Sequence, residues 1–126
     1  MTQAIILFAH GARDPLWSRP FEAVAERVRA MRPDTQVRVA YLEFMQPSLP
    51  EAAEQLAQAG ARSVTVVPLF LGAGGHVRRD LPALLEGLRQ RHPDMRWNLQ
   101  PAIGEAASVI EAMAAEAAAT TAQTLQ

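Results

Sequence analysis

Ala4-Ile5-Ile6-Leu7-Phe8-Ala9 is an unbroken apolar run that ends on His10-Gly11-Ala12-Arg13, and a second run, Ser63-Val64-Thr65-Val66-Val67-Pro68-Leu69-Phe70, follows further along the chain. Each has the length of a strand, and a strand apolar at nearly every position is expected in the middle of a parallel sheet, covered on both faces. Two other runs, Val37 to Leu42 and Met95 to Leu99, alternate in character (Val37-Arg38-Val39, Arg96-Trp97-Asn98-Leu99), as edge strands do. The order 2-1-3-4 follows. Between the strands the period changes to that of helices. Trp17, Phe21, Val24, Val28 and Met31 recur every three or four residues until Pro33 ends the pattern. Ser48 and Glu51 have capping-box spacing, with Leu49, Ala52, Ala53 and Leu56 on the buried face and Gly60 as the stop. Asp80 is a candidate cap for a third helix, with Pro82 in its first turn and Leu81, Leu84, Leu85 and Leu88 as its stripe. A last helix is expected from about Glu105 through Val109, Ile110 and Met113 into an alanine-rich tail that frays toward Gln126. Strands alternating with helices predict an α/β protein of three layers, α/β/α, around a four-stranded parallel sheet.

At 126 residues the chain has the size of one domain, expected over 1–126 with an ordered core at about 4–118. A hydrophobic content of 49%, a charged content of 20% and a net charge of -1 suit a globular protein and argue against a nucleic-acid partner. Met1-Thr2-Gln3 lacks the positive charge of a signal peptide, and the longest apolar stretch is far shorter than the ~18 residues of a membrane span. A cytoplasmic protein without a membrane partner is the expectation. With no cysteine, disulfides, thiolate nucleophiles and iron–sulfur ligation are excluded, so any metal must be held by His, Asp or Glu.

In flavodoxin-like sheets with this order, ligands bind beyond the carboxyl ends of the strands, at the switch between strands one and three. His10 follows strand one, Glu43 follows strand two, and His76 falls in the loop predicted after strand three. Three nitrogen and oxygen donors from distant parts of the sequence are thus expected at one edge. Such a set suits Co²⁺, Fe²⁺, Ni²⁺ or Zn²⁺ and, being incomplete, leaves positions open for exchange. On position alone, each histidine is equally a hydrogen-bonding loop residue, and Glu43 a solvated acid. Arg13, Arg78 and Arg79 occupy the same loops, either as solvated charges or as partners for the carboxylates of an anionic substrate. His92, in His92-Pro93-Asp94, belongs to the opposite edge and is expected to be structural. Gly72-Ala73-Gly74-Gly75 invites a phosphate-loop reading. The chain has no lysine, however, and Val77 stands where the last glycine of G-x-G-x-x-G would be, so these glycines better suit close approach of the backbone to a flat ligand.

Several of these segments together resemble the CbiX/SirB family of class II chelatases. His10-Gly11-Ala12-Arg13-Asp14-Pro15 resembles the family's opening motif, with Ala12 where serine is more usual. Tyr41-Leu42-Glu43-Phe44-Met45-Gln46-Pro47-Ser48-Leu49 is similar to its segment after strand two. Val67-Pro68-Leu69-Phe70-Leu71, Gly75-His76-Val77 and Asp80-Leu81-Pro82 are similar to its third-strand loop. The resemblance covers about residues 4–104. It implies ATP-independent insertion of a divalent metal, Co²⁺ first and Fe²⁺ or Ni²⁺ as alternatives, into sirohydrochlorin, on the way to cobalamin or sirohaem. It also implies metal-binding roles for His10, His76 and Glu43; the chemistry of insertion then suits one of the two histidines to take up protons, with Glu43 as third ligand or proton relay and Arg13 and Arg78 positioning the substrate carboxylates. No organic cofactor is implied. Larger members carry two such domains, so a single one implies a homodimer with facing clefts.

Two other functions compete. A histidine-phosphatase-like phosphotransferase would also place a histidine after its first strand, but Ala9 stands where its phosphate-binding arginine would be. A metal- or tetrapyrrole-binding module without turnover would keep the ligands and lose the reaction.

Overall fold

The computed structural model describes residues 3–72 and 74–120, with only the backbone of His76. The four strands are β1 (Gln3–Ala9), β2 (Gln36–Tyr41), β3 (Ser63–Pro68) and β4 (Arg96–Leu99). All pair in parallel in the order β2-β1-β3-β4, as their apolar patterns predict. Phe8 aligns with Ala40 on one side and Pro68 on the other, so the carboxyl ends of β1, β2 and β3 finish level and form a shared rim.

The helices are α1 (Arg19–Met31), α2 (Leu49–Gln58), α3 (Gly75–Arg91) and α4 (Ala107–Ala119). Alternation along β1 sends Ala4, Ile6 and Phe8 to one face, where they pack with Val64 and Val66 against Leu56 of α2 and Leu85 of α3. Leu7 and Ala9 point the other way, joining Val37, Val39 and Tyr41 beneath Ala25 of α1. The capping box forms as read: Ser48 Oγ accepts from Glu51 N at 3.2 Å, and Glu51 Oε1 accepts from Ser48 N at 2.8 Å. Gly60, at φ +87°, follows the end of α2 in the left-handed conformation that only glycine adopts cheaply.

Four expectations need correction. Trp17 is not in α1 but in a separate 3-10 turn, Pro15–Ser18, whose start is held by Asp14 Oδ1 accepting from Leu16 N at 2.9 Å. The third helix begins at Gly75 rather than at Asp80. Gly74 is extended and its carbonyl accepts from Arg78 N at 2.9 Å, closing a first turn that contains His76. His76, Arg78 and Arg79 are therefore helical and not in a loop, and Pro82 lies inside the helix. Pro82 forfeits one helical hydrogen bond, offset by burial of Leu81, Leu85 and Leu88.

The third strand is shorter than expected, ending at Pro68, and is fully covered on one face but only partly on the other. Val64, Val66 and Pro68 are buried, while Thr65 and Val67 are half-buried. Finally, the last helix starts at Ala107, after a 3-10 turn over Ile103–Glu105, and buries none of its residues. The two facts share a cause. α4 does not lie over β3, leaving an open apolar groove of about 530 Å³ between α1 and α4, lined by Leu7, Phe21, Val24, Val67, Leu69 and Val109. The predicted fraying toward Gln126 concerns residues 121–126, which lie outside the described residues.

Candidate functional site

The rim of the sheet is built from the segments that follow β1, β2 and β3. Pairing of β1 with β2 continues past both strands: Leu42 N donates to Ala9 O at 2.9 Å and Glu43 N to His10 O at 3.0 Å. This brings the backbones of His10 and Glu43 side by side, with both residues exposed. Gly11 makes the approach feasible. At φ +93°, a Cβ there would stand 1.8 Å from the carbonyl oxygen of Glu43, so no other residue fits without displacing the strand end.

Beneath the rim, the His10 ring packs on Phe70 with centroids 5.1 Å apart, and Phe70 in turn packs on Phe8. Phe70 thus supports one side of the imidazole and leaves the rest to solvent. Tyr41 closes the floor on the other face of the sheet. Its buried hydroxyl donates to Glu22 Oε2 at 2.9 Å. Burial first, and then the Glu22 carboxylate, push this phenol from its ordinary 10.0 up to about 12. Tyr41 is therefore a neutral hydrogen-bond donor at working pH and not an acid–base group.

The Arg13 guanidinium lies over the Phe44 ring, 4.8 Å from its centroid, and ties the loop after β1 to the loop after β2. Arg78, one turn into α3, is exposed. The side chain of His76 lies outside the described residues; its backbone occupies the first turn of α3, and α3 follows the segment that leaves β3. Among the described residues, which leave out the His76 side chain, no three His, Asp or Glu side chains cluster closely enough to hold a metal; of the expected triad, His10 and Glu43 are neighbours through their backbones. His92 is at the opposite edge, beside Trp97 and 4.0 Å from Glu54 Oε1, as a structural residue would be. Sequence reasoning missed Phe70, Phe44 and Tyr41. Of these, Phe44 alone carried a signal, as an aromatic residue next to a candidate ligand in a loop.

The fold is that of an α/β protein with a parallel sheet whose strand order reverses beside β1, and His10 and Glu43 lie on the open rim beyond the carboxyl ends of its strands. The family model for CbiX matches residues 4–120, and the chain belongs to the CbiX family. It is similar to the sirohydrochlorin cobaltochelatase of Methanococcus maripaludis, at 36% identity over 83 residues, covering 66% of this chain and 58% of that protein. The matched segment thus spans less than two thirds of that relative's length. Among solved structures it resembles a CbiX protein of Marinobacter aquaeolei VT8 named for cobalamin (vitamin B12) biosynthesis, with a TM-score of 0.86, 33% identity and coverage of 97% of this chain and 99% of that one. It also resembles the sirohydrochlorin chelatase SirB of Bacillus subtilis subspecies spizizenii in complex with cobalt, with a TM-score of 0.74, 25% identity and coverage of 94% of this chain and 50% of that one. The phosphotransferase and non-catalytic readings gain no support from these relatives.

Proposed function

We propose that this protein inserts a divalent metal, Co²⁺ in the first instance and Fe²⁺ or Ni²⁺ as alternatives, into sirohydrochlorin without ATP, serving cobalamin or sirohaem formation. The observation that carries the reading is the Glu43 N to His10 O hydrogen bond at 3.0 Å. It sets an imidazole and a carboxylate on adjacent strand ends, in a chain whose relatives are named for this reaction. His10, Glu43 and His76 bind the incoming ion, which is a substrate. Hydrated M²⁺ exchanges water for imidazole and carboxylate, which suit these ions and hold them less permanently than four macrocycle nitrogens. Insertion releases two pyrrole protons. A neutral histidine that has given up its metal can accept one of them, with Glu43 relaying the other to solvent. Arg13 and Arg78 pair with the acetate and propionate groups of the substrate, and no organic cofactor is needed.

The active unit is a homodimer. One sheet edge gives a single wall, whereas sites of this kind enclose most of their ligand. Support comes from α4, which is rich in alanine with Val109, Ile110 and Met113, buries nothing, and lies beside the open groove over β3. A second copy offers that groove an apolar helix and offers α4 a groove, in the reciprocal manner of a two-fold interface. No helix among the described residues is long and apolar enough to cross a membrane, and we assign the protein to the cytoplasm. Anaerobic incubation with sirohydrochlorin and each metal, followed by absorbance and corrected for the uncatalysed rate, tests the reaction. A rate equal to that of the uncatalysed control with all three metals refutes it.

A further inference from the structure

Phe44 is the one described residue other than glycine with a positive φ, +68°. Glu43 O accepts from Met45 N at 2.8 Å, so Phe44 is the central residue of a three-residue turn of the strained hand. Bulky side chains avoid this conformation because the Cβ crowds the backbone. Such strain persists where surrounding structure repays it, commonly by burying the side chain. Here the larger part of the side chain stays out: Phe44 is 57% exposed, on the rim next to Glu43. Its described ring partner is the Arg13 guanidinium, 4.8 Å from the centroid. Leu16, on the loop that carries Arg13, is exposed to the same extent, at 57%. The chain therefore holds an aromatic ring in solvent at a backbone cost, beside the candidate ligands, with a cation stacked on it.

We infer that Phe44 is a substrate-positioning residue, whose ring packs against the flat face of the macrocycle while Arg13, pre-placed by the same stack, meets a carboxylate on the macrocycle's edge. This rests on the proposed chelatase function and adds to it the part of the rim that recognises the tetrapyrrole's plane. A planar conjugated ligand gains dispersion and apolar burial on an aromatic face. An arginine already lying over that ring loses less freedom on pairing with an anion than a fully solvated one. Strain at such a point is the mark of a residue kept for binding rather than for stability.

The test sets stability against affinity. Sirohydrochlorin is titrated without metal into the full-length protein and its Phe44→Gly, Phe44→Leu and Phe44→Trp variants, read by the tetrapyrrole absorbance. Tm and metallation kinetics are measured alongside. Phe44→Gly is expected to weaken binding about tenfold or more while Tm rises by about 3 °C, since glycine relieves the positive φ. Phe44→Leu is expected to bind several-fold more weakly, with the loss in KM rather than kcat, and Phe44→Trp to retain affinity. A lowered Tm with unchanged affinity in Phe44→Gly would make Phe44 structural and overturn the inference. So would loss of dimer in step with loss of binding, which would make Phe44 an interface residue. Wild-type protein that fails to bind sirohydrochlorin refutes the chelatase function and this inference with it. Wild-type binding with equal affinity in all variants refutes this inference alone.

Discussion

Replacing Gly11 with alanine isolates the contact on which the site geometry depends. The new Cβ would lie 1.8 Å from Glu43 O and 3.0 Å from Glu43 C. An ordinary carbon–oxygen contact is about 3.3 Å, so the carbonyl must retreat by about 1.5 Å. That carbonyl accepts from Met45 N at 2.8 Å, and Glu43 N donates to His10 O at 3.0 Å. Losing both hydrogen bonds costs about 2 kcal/mol, and alanine at φ +93° adds about 1–2 kcal/mol. Reduced freedom of the unfolded chain returns about 0.4–1 kcal/mol. The expected net loss is about 2–3.5 kcal/mol. Gly60→Ala is the internal control: φ is +87°, nearly the same, but nothing lies within 4 Å of the added Cβ. It carries the conformational cost without the clash and should lose no more than about 1.5 kcal/mol. Urea unfolding of both variants gives the difference directly, and metallation should collapse in Gly11→Ala only. Equal stabilities within about 0.5 kcal/mol, with full turnover in both, would show that the strand ends adjust freely and that the packing of Gly11 on Glu43 does not define the site.

His10→Ala and His76→Ala should each slow sirohydrochlorin metallation at least about tenfold, because each removes a proposed donor, and the exposed His10 can be removed with far-UV circular dichroism unchanged; Glu43→Gln should lose less, and near-normal turnover in both histidine variants refutes the ligand assignment. Light scattering at micromolar concentration should find a dimer that becomes a monomer when the chain is ended at Ala106 or when Val24, which lines the groove, is changed to Asp; an active wild-type monomer rules the dimer out. Alkaline unfolding should report Tyr41 almost alone, since the sequence has no lysine, no cysteine and one tyrosine. Its folded pKa lies above its unfolded value, so its stabilisation is complete below pH 10.0 and is lost as pH rises toward about 12. The shift corresponds to at most about 2–3 kcal/mol, and solvent screening lowers this because the partner Glu22 is exposed. Phenolate absorbance and urea midpoints follow it; Tyr41→Phe should flatten the loss, and a phenol titrating near its ordinary value would refute the assignment.

What was legible in the sequence and what was not divide along a physical line. Strand order could be read because Ile6, Phe8, Val64 and Val66 are buried in the middle of the sheet, and apolar runs report such burial directly. The cap at Ser48 and the stop at Gly60 could be read because both are local, each decided within four residues. The start of α3 was misread for a related reason. Asp80 has the side chain of a cap, but an extended Gly74 began the helix earlier, and a glycine's backbone state leaves no trace in the periodicity. Tyr41 with Glu22 and His10 with Phe70 were out of reach because each pair joins residues of different elements far apart in sequence. Periodicity tells which side of an element is apolar but not what covers it. For β3 that limit is informative. A run of Val64 to Phe70 that is apolar at almost every position predicts cover on both faces, yet Val67 and Leu69 face an open groove while α4 stands beside it with nothing buried. Among the described residues the pattern of β3 and the apolar composition of α4 are both left unsatisfied, and the proposed contact with a second copy would satisfy both.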